Sequence, residues 1–557
     1  MKKFFKYSAL LILLFALVCT IYFISVVNIE EPHIGNTSAL DWQIEESTPG
    51  LTSINGGWFR KSGSGLFEMF VSGNAFERGV SNGKLAEKLV LRQEEIFVEQ
   101  IKRIVPSKTY LKFLKYLVGW FNKELPNHVS KEQLEEIYGV SQTFSDEFNF
   151  IAPKYIRCLN YHAAHDIGHA LQDRNFTVGC TSFSAWDNKT KDGSMIVGRN
   201  FDFYIGDEFA EDKIVNFVSP DSGYKLMFVT WGGFTGAVSG MNETGLSVTI
   251  NAAKSDYPTG AATPIALVAK EILQYASNIN EAYAIANSRE TFVSESIMVA
   301  SAKDGRTAII EKSPTKIGLH LTDNNYIICA NNFQSDTFKN DSLNIKNIRT
   351  SSSQYRYNRM DELIHENEVI DYTEAAAILR DRYGKNGEVI GNGNEKAMNQ
   401  LIAHHAVIFK PEQRLVWVSV GPYQIGKFVC YDLNTVFDQH ADLSADVDIS
   451  VDSLEIPADD FMFSVEYEKF KRFRTLRKEI TREDYKLTQE VEGEFIESNP
   501  YYYLTYYSLG DYYFEKKEFN SAKIFYEQAL TKTLPVTQER DYLNSRIEKC
   551  NKNLIKK

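Results

Sequence analysis

Val178-Gly179-Cys180-Thr181-Ser182-Phe183, with Gly198-Arg199-Asn200-Phe201-Asp202 a short way downstream, decides how this chain is read. A thiol attacking the carbonyl before it needs an unhindered neighbour, and Gly179 provides one while tolerating the backbone such a rearrangement requires. The resulting thioester can be hydrolysed, which leaves Cys180 at a new N-terminus. Its α-amine, with a reference pKa of about 7.7 to 8, then serves near neutrality as base for its own thiol. If the strands carrying the two stretches are neighbours, Arg199 and Asp202 reach the same spot. The aspartate would orient the ammonium, and the arginine would hold a thiolate or a substrate carboxylate.

The other cysteines, Cys19, Cys158, Cys329, Cys430 and Cys550, are widely spaced with no Cys-x-x-Cys pair, so neither a disulfide framework nor a zinc site is implied. Each reads as a small buried hydrophobe. His162, His165 and His169 fall on one helix face, but a hydrogen-bonded helix near the junction explains them. The reaction needs no metal and no cofactor.

Downstream of Cys180, short segments rich in β-branched and aromatic residues predict strands at 194–203, 246–251, 307–311, 326–331, 407–409 and 415–420. Helical patterns at 264–277, 279–288 and 372–383 lie between them, which predicts α+β with sheets covered by helices. Upstream, 30–65 is mixed and polar, and a largely helical stretch is expected from Gly73 to about Phe176. At 557 residues the chain is long enough for two or three domains, and its 43% hydrophobic content supports a sizeable core. A net charge of −12 argues against nucleic acid as a partner, and the basic cluster 469–478 is flanked by acidic residues.

Lys2, Lys3 and Lys6 precede an uncharged run from Tyr7 to Ile29, long enough to cross a bilayer. The run reads as an uncleaved membrane anchor, with a cleaved signal segment as the alternative, and in either case the remainder lies on the extracytoplasmic side. Near the other end, Tyr506, Leu509, Gly510, Tyr513, Ala522, Tyr526 and Ala529 fall at the offsets of a tetratricopeptide repeat spanning about 499–535. A single repeat either packs on flanking helices or offers a protein partner a docking surface.

From Gly73 to Phe428 the chain resembles the acyl-CoA:6-aminopenicillanic acid acyltransferase family of N-terminal-nucleophile hydrolases, relatives of the choloylglycine hydrolases. Gly73-Asn-Ala-Phe-Glu-Arg-Gly79 is similar to that family's opening segment, and Gly179-Cys180-Thr181 to its cleavage junction. Arg199 and Asp202 are similar to the arginine and aspartate behind the nucleophile. Asn242-Glu-Thr-Gly-Leu246 running to Asn251 resembles the strand bringing an oxyanion-binding asparagine. Cys329-Ala-Asn331-Asn332-Phe333 resembles the segment with a second one, assigned to Asn331 with Asn332 as the alternative. Ser353-Gln-Tyr-Arg356 resembles the stretch carrying a second arginine, and 406–422 the closing strand pair.

The resemblance implies a four-layer αββα sandwich. Its divisions are 1–29 anchor or signal, 30–179 helical pro-segment, 180–440 catalytic part, and 441–557 linker and helical tail. It implies catalytic roles for Cys180, Arg199, Asp202, Asn251, Asn331 and Arg356, and a small-molecule acyl amide substrate whose acyl group passes through a Cys180 thioester to water or an amine. Neutral asparagine donors suit an oxyanion. Trp231-Gly-Gly-Phe234 reads as a flexible lip of the substrate pocket or as a plain hairpin turn. The rival reading is a non-catalytic membrane-anchored binding protein that keeps this fold and uses its tail to hold a partner.

Overall fold

The apolar runs after Cys180 become strands buried on both faces, as expected for sheets packed between other layers. The computed structural model describes all residues except 1–6, 8–10, 12, 23–28, 105–118, 120–121, 172–176, 205, 259, 439–447, 483 and 556–557. One six-stranded antiparallel sheet runs in the order Tyr326–Cys329, Thr181–Asp187, Gly193–Phe201, His405–Lys410, Leu415–Ser419, Phe428–Asp432. Against it lies an eleven-stranded sheet whose central members include Ile214–Pro220, Leu226–Thr230, Ser239–Asn242, Leu246–Ala252, Glu295–Ser301 and Arg306–Lys312. Met195, Val197, Val407, Phe409, Val416 and Val418 of the first sheet meet Val215, Phe217, Met227, Val229, Met298 and Ile309 of the second in one core.

Helices cover both outer faces. Ile265–Tyr275 and Ile279–Ser288 pack on the large sheet together with helices from before the junction, and Ser353–Glu366 with Tyr372–Leu379 cover the small one. The layers therefore run helix, sheet, sheet, helix.

The pre-junction segment is not purely helical, contrary to expectation. Glu45–Thr48, Leu51–Ile54, Gly57–Lys61 and Phe67–Gly73 are four strands that extend the large sheet at its edge. The last of them pairs in parallel with Ile214–Pro220, residue 67 to 214 through residue 73 to 220. Gly73-Asn-Ala-Phe-Glu-Arg-Gly79 then opens the helix Ala75–Leu85 with a capping box: the Asn74 side chain accepts the Glu77 N–H at 3.1 Å, and Glu77 Oε2 accepts the Asn74 N–H at 3.2 Å. Gly79 permits a close helix crossing, since a Cβ there would lie 2.1 Å from the Glu136 carbonyl oxygen. Beneath that crossing Glu136 is buried between Arg78, at 2.9 Å, and Lys270, at 2.6 Å.

The expected anchor at 1–29 lies largely outside the described residues. Among the described residues, no helix is long and apolar enough to cross a membrane.

The tail comprises Val465–Ile480, Gln489–Ser498, Tyr503–Glu515, Phe519–Leu530 and Thr537–Ile555. In its hairpin Leu509, Ala522, Tyr526 and Ala529 are buried, and Gly510 lies against the Tyr526 ring. The tail docks on loops of the 180–440 part. Leu401 and Ile425 enter its core, Asn394 Nδ2 donates to the Thr533 carbonyl at 2.9 Å, and Asn392 and Asn499 exchange two hydrogen bonds.

Candidate active site

Cys180 stands where the short strand Thr177–Val178 hands over to Thr181–Asp187, and it is only 2% exposed. The second of these strands pairs antiparallel with Gly193–Phe201, setting Thr181 opposite Asn200 and Ser182 opposite Arg199. Opposed residues share a face, and so do residues two apart along a strand, so this register brings Arg199 to the thiol. Arg199 Nη2 donates to Cys180 Sγ at 3.7 Å and to the Ile250 carbonyl at 2.7 Å, while Nη1 donates to Ser239 Oγ. Its guanidinium carbon lies 4.3 Å from the centroid of the Phe201 ring. Behind it, Ser239 Oγ meets His405 Nε2 at 2.9 Å, and the Nδ1 atoms of His404 and His405 lie 2.8 Å apart. Burial, reinforced by neighbouring cations, holds both imidazoles well below their ordinary pKa, so the chain of groups behind Arg199 adds no further charge.

Asp202 is fully buried, and neither carboxylate oxygen has a hydrogen-bond partner among the described residues. Burial raises its pKa to about 7, against the opposing pull of Arg356 and Arg199. Burial likewise lifts the Cys180 thiol to about 11; Arg199 and the Asp202 backbone N–H pull it down, and the Asp202 and Glu295 carboxylates push it up. Cys180 is therefore a protonated thiol at neutral pH.

Arg356, from the helix Ser353–Glu366, reaches the same cluster. Its Nε donates to Thr181 Oγ1 at 3.2 Å, Nη1 to the Glu395 carbonyl at 2.7 Å and Nη2 to Asn331 Oδ1 at 2.5 Å. Between the two adjacent asparagines, Asn331 is thus the one joined to Arg356, whereas Asn332 Oδ1 accepts from Ser353 Oγ at 2.6 Å.

The asparagines are present but differently engaged from what an oxyanion site asks. Asn251 Nδ2 donates to the Cys329 carbonyl at 2.9 Å, and its Oδ1 accepts from Ser182 Oγ at 2.9 Å. Asn331 Nδ2 donates to the Ala252 carbonyl at 2.9 Å. Both amides join the interior strand Leu246–Ala252 of the large sheet to the segment that ends the edge strand Tyr326–Cys329 of the small one. The pattern of residue types marked their positions, but not which carbonyls would already hold them.

Trp231 and Phe234 flank the turn at Gly232-Gly233 in the connection between the antiparallel strands Leu226–Thr230 and Ser239–Asn242, with the Phe234 N–H donating to the Trp231 carbonyl at 3.2 Å. Their rings stack at 4.2 Å and are buried, with the backbone of Gly232 against Leu89 in the pre-junction part. His162 stacks on Phe234 at 4.8 Å, and its Nε2 accepts the Thr235 N–H at 2.9 Å; burial takes its pKa down to about 4. It is a neutral core histidine. The side chains of His165 and His169 lie outside the described residues, and among the described residues no group of three or more His, Cys, Asp or Glu forms a metal-holding cluster.

Sequence reasoning missed Ser239 and Gln400. Ser239 braces Arg199 together with His405, which precedes the closing strand pair as the sequence indicated, and Gln400 donates from Nε2 to the Gly179 carbonyl at 2.8 Å. Ser239 sits just before the Asn242 motif, so register could have located it; nothing local to Gln400 marks it. A cavity of about 340 Å³ lined by Asn188, Lys189, Asp323, Asn325, Tyr326 and His365 does not include Cys180.

Residues 188–423 match the family described as acyl-coenzyme A:6-aminopenicillanic acid acyl-transferase. That span holds Arg199, Asp202, Asn251, Asn331 and Arg356, and begins after Gly179 and Cys180. An uncharacterized protein of Archaeoglobus fulgidus is 25% identical over 292 residues, covering 48% of this chain and 47% of that protein, so the match spans less than half of the relative. Among solved structures, the Caenorhabditis elegans ortholog of N-acylethanolamine-hydrolyzing acid amidase is 17% identical, covering 42% of this chain and 93% of that one at a TM-score of 0.29. A Clostridium perfringens conjugated bile acid hydrolase is 14% identical (46% and 93%, TM-score 0.32), as is Agrobacterium tumefaciens penicillin V acylase (46% and 86%, TM-score 0.28). Residues 188–423 carry the sequence pattern of the acyl-coenzyme A:6-aminopenicillanic acid acyl-transferase family, as the motifs around Arg199, Asn251 and Arg356 indicated.

Proposed function

We propose that this chain is a self-cleaving amide hydrolase or acyltransferase in which a cut between Gly179 and Cys180 makes Cys180 the nucleophile. One observation carries the reading. The Gly179 N–H, beside the peptide to be cut, donates to the Asp202 main-chain carbonyl at 3.0 Å, and the buried Asp202 carboxylate has no hydrogen-bond partner among the described residues while Arg356 and Arg199 pull on its charge. A buried carboxylate left without a hydrogen bond is costly, and a cut at Gly179 places a new ammonium beside it. The cut thus completes the site. Arg199 steadies the thiolate, and the α-amine takes the thiol proton as Sγ attacks the acyl carbon of a linear amide. Departure of the amine leaves a thioester, which water or a second amine resolves. The substrate is a small acyl amide, and no cofactor enters.

Two further elements belong to this reading. Residues 1–29 serve as a membrane anchor that leaves the catalytic part on the extracytoplasmic side, a role favoured by the exposed Leu13, Leu14, Phe15, Leu17 and Val18 on the described part of that segment. Residues about 499–535 are a tetratricopeptide-like hairpin, favoured by the seat of Gly510 under Tyr526.

The test is the intact mass of purified protein. Wild type is expected to give two polypeptides and Cys180→Ala one. An undivided wild-type chain returns the protein to the rival reading, a binding protein that keeps the fold without the chemistry.

A further inference from the structure

We propose that Gln400 is the oxyanion donor for the self-cleavage step; the inference rests on the proposed cut at Gly179. Gln400 is 1% exposed, and its Nε2 donates at 2.8 Å to the carbonyl oxygen of Gly179, the bond that must be attacked. The N–H of Gly179 is also held, donating to the Asp202 carbonyl at 3.0 Å. Both polar groups of the scissile residue are thus fixed before any chemistry begins. The amides of Asn251 and Asn331 are committed to main-chain carbonyls of Cys329 and Ala252, so Gln400 is the side-chain amide already on the oxygen that becomes charged.

The loop is built to hold this donor. Leu401 adopts a left-handed backbone, φ 53°, which is costly for a residue with a Cβ. It is kept there by complete burial in the core of the helical tail and by its N–H, which donates to Asn399 Oδ1 at 3.0 Å. Asn399 is itself fixed by its N–H to the Asp381 carbonyl at 2.8 Å. The absence of a side chain at 179 has a second meaning here. A Cβ would lie 2.2 Å from Gln400 Nε2, so any larger residue displaces the donor from the carbonyl.

In the cut, Cys180 Sγ loses its proton to Asp202 and bonds to the Gly179 carbonyl carbon, and the oxygen, now an alkoxide, is held by the Gln400 amide. The alkoxide collapses as the C–N bond breaks, and the proton passes to the departing amine of Cys180. Water then adds to the thioester carbon and the C–S bond breaks, giving a Gly179 carboxylate and a free thiol and ammonium on Cys180.

The experiment follows maturation of the full chain after rapid purification of precursor, for wild type, Gln400→Ala and the near-isosteric Gln400→Glu, with and without hydroxylamine to intercept thioester. Both variants are expected to mature about a hundredfold more slowly or worse, the loss usual for one oxyanion donor. Hydroxylamine should not rescue them, because the step that fails precedes the thioester. Their precursors should melt with the Cys180→Ala precursor. Either variant maturing at the wild-type rate, or rescue by hydroxylamine, overturns the role of Gln400. A wild-type chain that never divides overturns the proposed function instead.

Discussion

Asp202 is the residue on which the charge balance of the uncut chain depends. Its pKa of about 7 in the folded chain, against 3.8 ordinarily, means that the native state keeps a proton which the unfolded state has released. Protons bound in excess by the native state make stability fall as pH rises, here across the window from about 4 to about 7 and flat on either side. A difference of that size between folded and unfolded chain corresponds to roughly 4 kcal/mol at most. In a Cys180→Ala background, which under the proposed cut keeps the chain whole, denaturant midpoints should decline over that window, and Asp202→Asn should reduce the decline to the share of Glu395, whose pKa burial also raises to about 7. A pH-independent Cys180→Ala precursor would show that Asp202 is not buried and proton-bearing. At this scale the sequence was informative about residue types: Cys180, Arg199, Asp202 and Arg356 do converge. It was uninformative about Asn251 and Asn331, because what an amide can donate to depends on carbonyls brought from other strands.

Among the elements, several strands after Cys180 were legible because burial on both faces leaves unbroken apolar runs such as Met195-Ile-Val197, whereas the equally apolar Leu226-Met-Phe-Val229 was not picked out as a strand. The strands between residues 45 and 73 were missed: the first three have only four or five residues each and lie at the sheet edge, while Phe67–Gly73 is as long as the central strands and runs straight into the helix Ala75–Leu85. A signal was nonetheless there. Asn55-Gly56 separates Leu51–Ile54 from Gly57–Lys61, and both turn residues have positive φ, 41° and 78°, the signature of a tight two-residue hairpin. The helix Lys131–Ser141 is pinned to Ile265–Tyr275 by Glu136, whose pKa burial would raise but Lys270 and Arg78 together hold below the ordinary carboxylate value. Lys270→Met removes one cation from that fully buried anion. It should cost about 3 kcal/mol, read as a lower denaturant midpoint, since breaking a buried pair leaves charge uncompensated. A change below about 0.5 kcal/mol would mean that Arg78 alone suffices.

For the whole molecule, the tail packs on loops of the 180–440 part as well as on its own helices, a contact that patterning within a helix does not reveal. Its core encloses Leu401, next to Gln400, so damage there should be felt at the junction. Tyr526→Ala, remote in sequence from the junction, removes a fully buried ring beside Gly510 and should destabilise the chain by about 3–5 kcal/mol. It should also slow maturation. Normal maturation in a destabilised variant would separate the tail from the chemistry.

The parallel pairing of Phe67–Gly73 with Ile214–Pro220 acquires a new meaning under the proposed cut at Gly179. Two polypeptides then share one sheet, and reassembly, a first-order event for the intact chain, becomes an encounter between separate molecules. The divided protein should run as one species on gel filtration and as two in denaturant. Its melting temperature should fall on dilution while that of the undivided Cys180→Ala chain does not. A protein of this kind would fold once, as a single thread, and after losing that continuity would keep its shape by mutual grip alone.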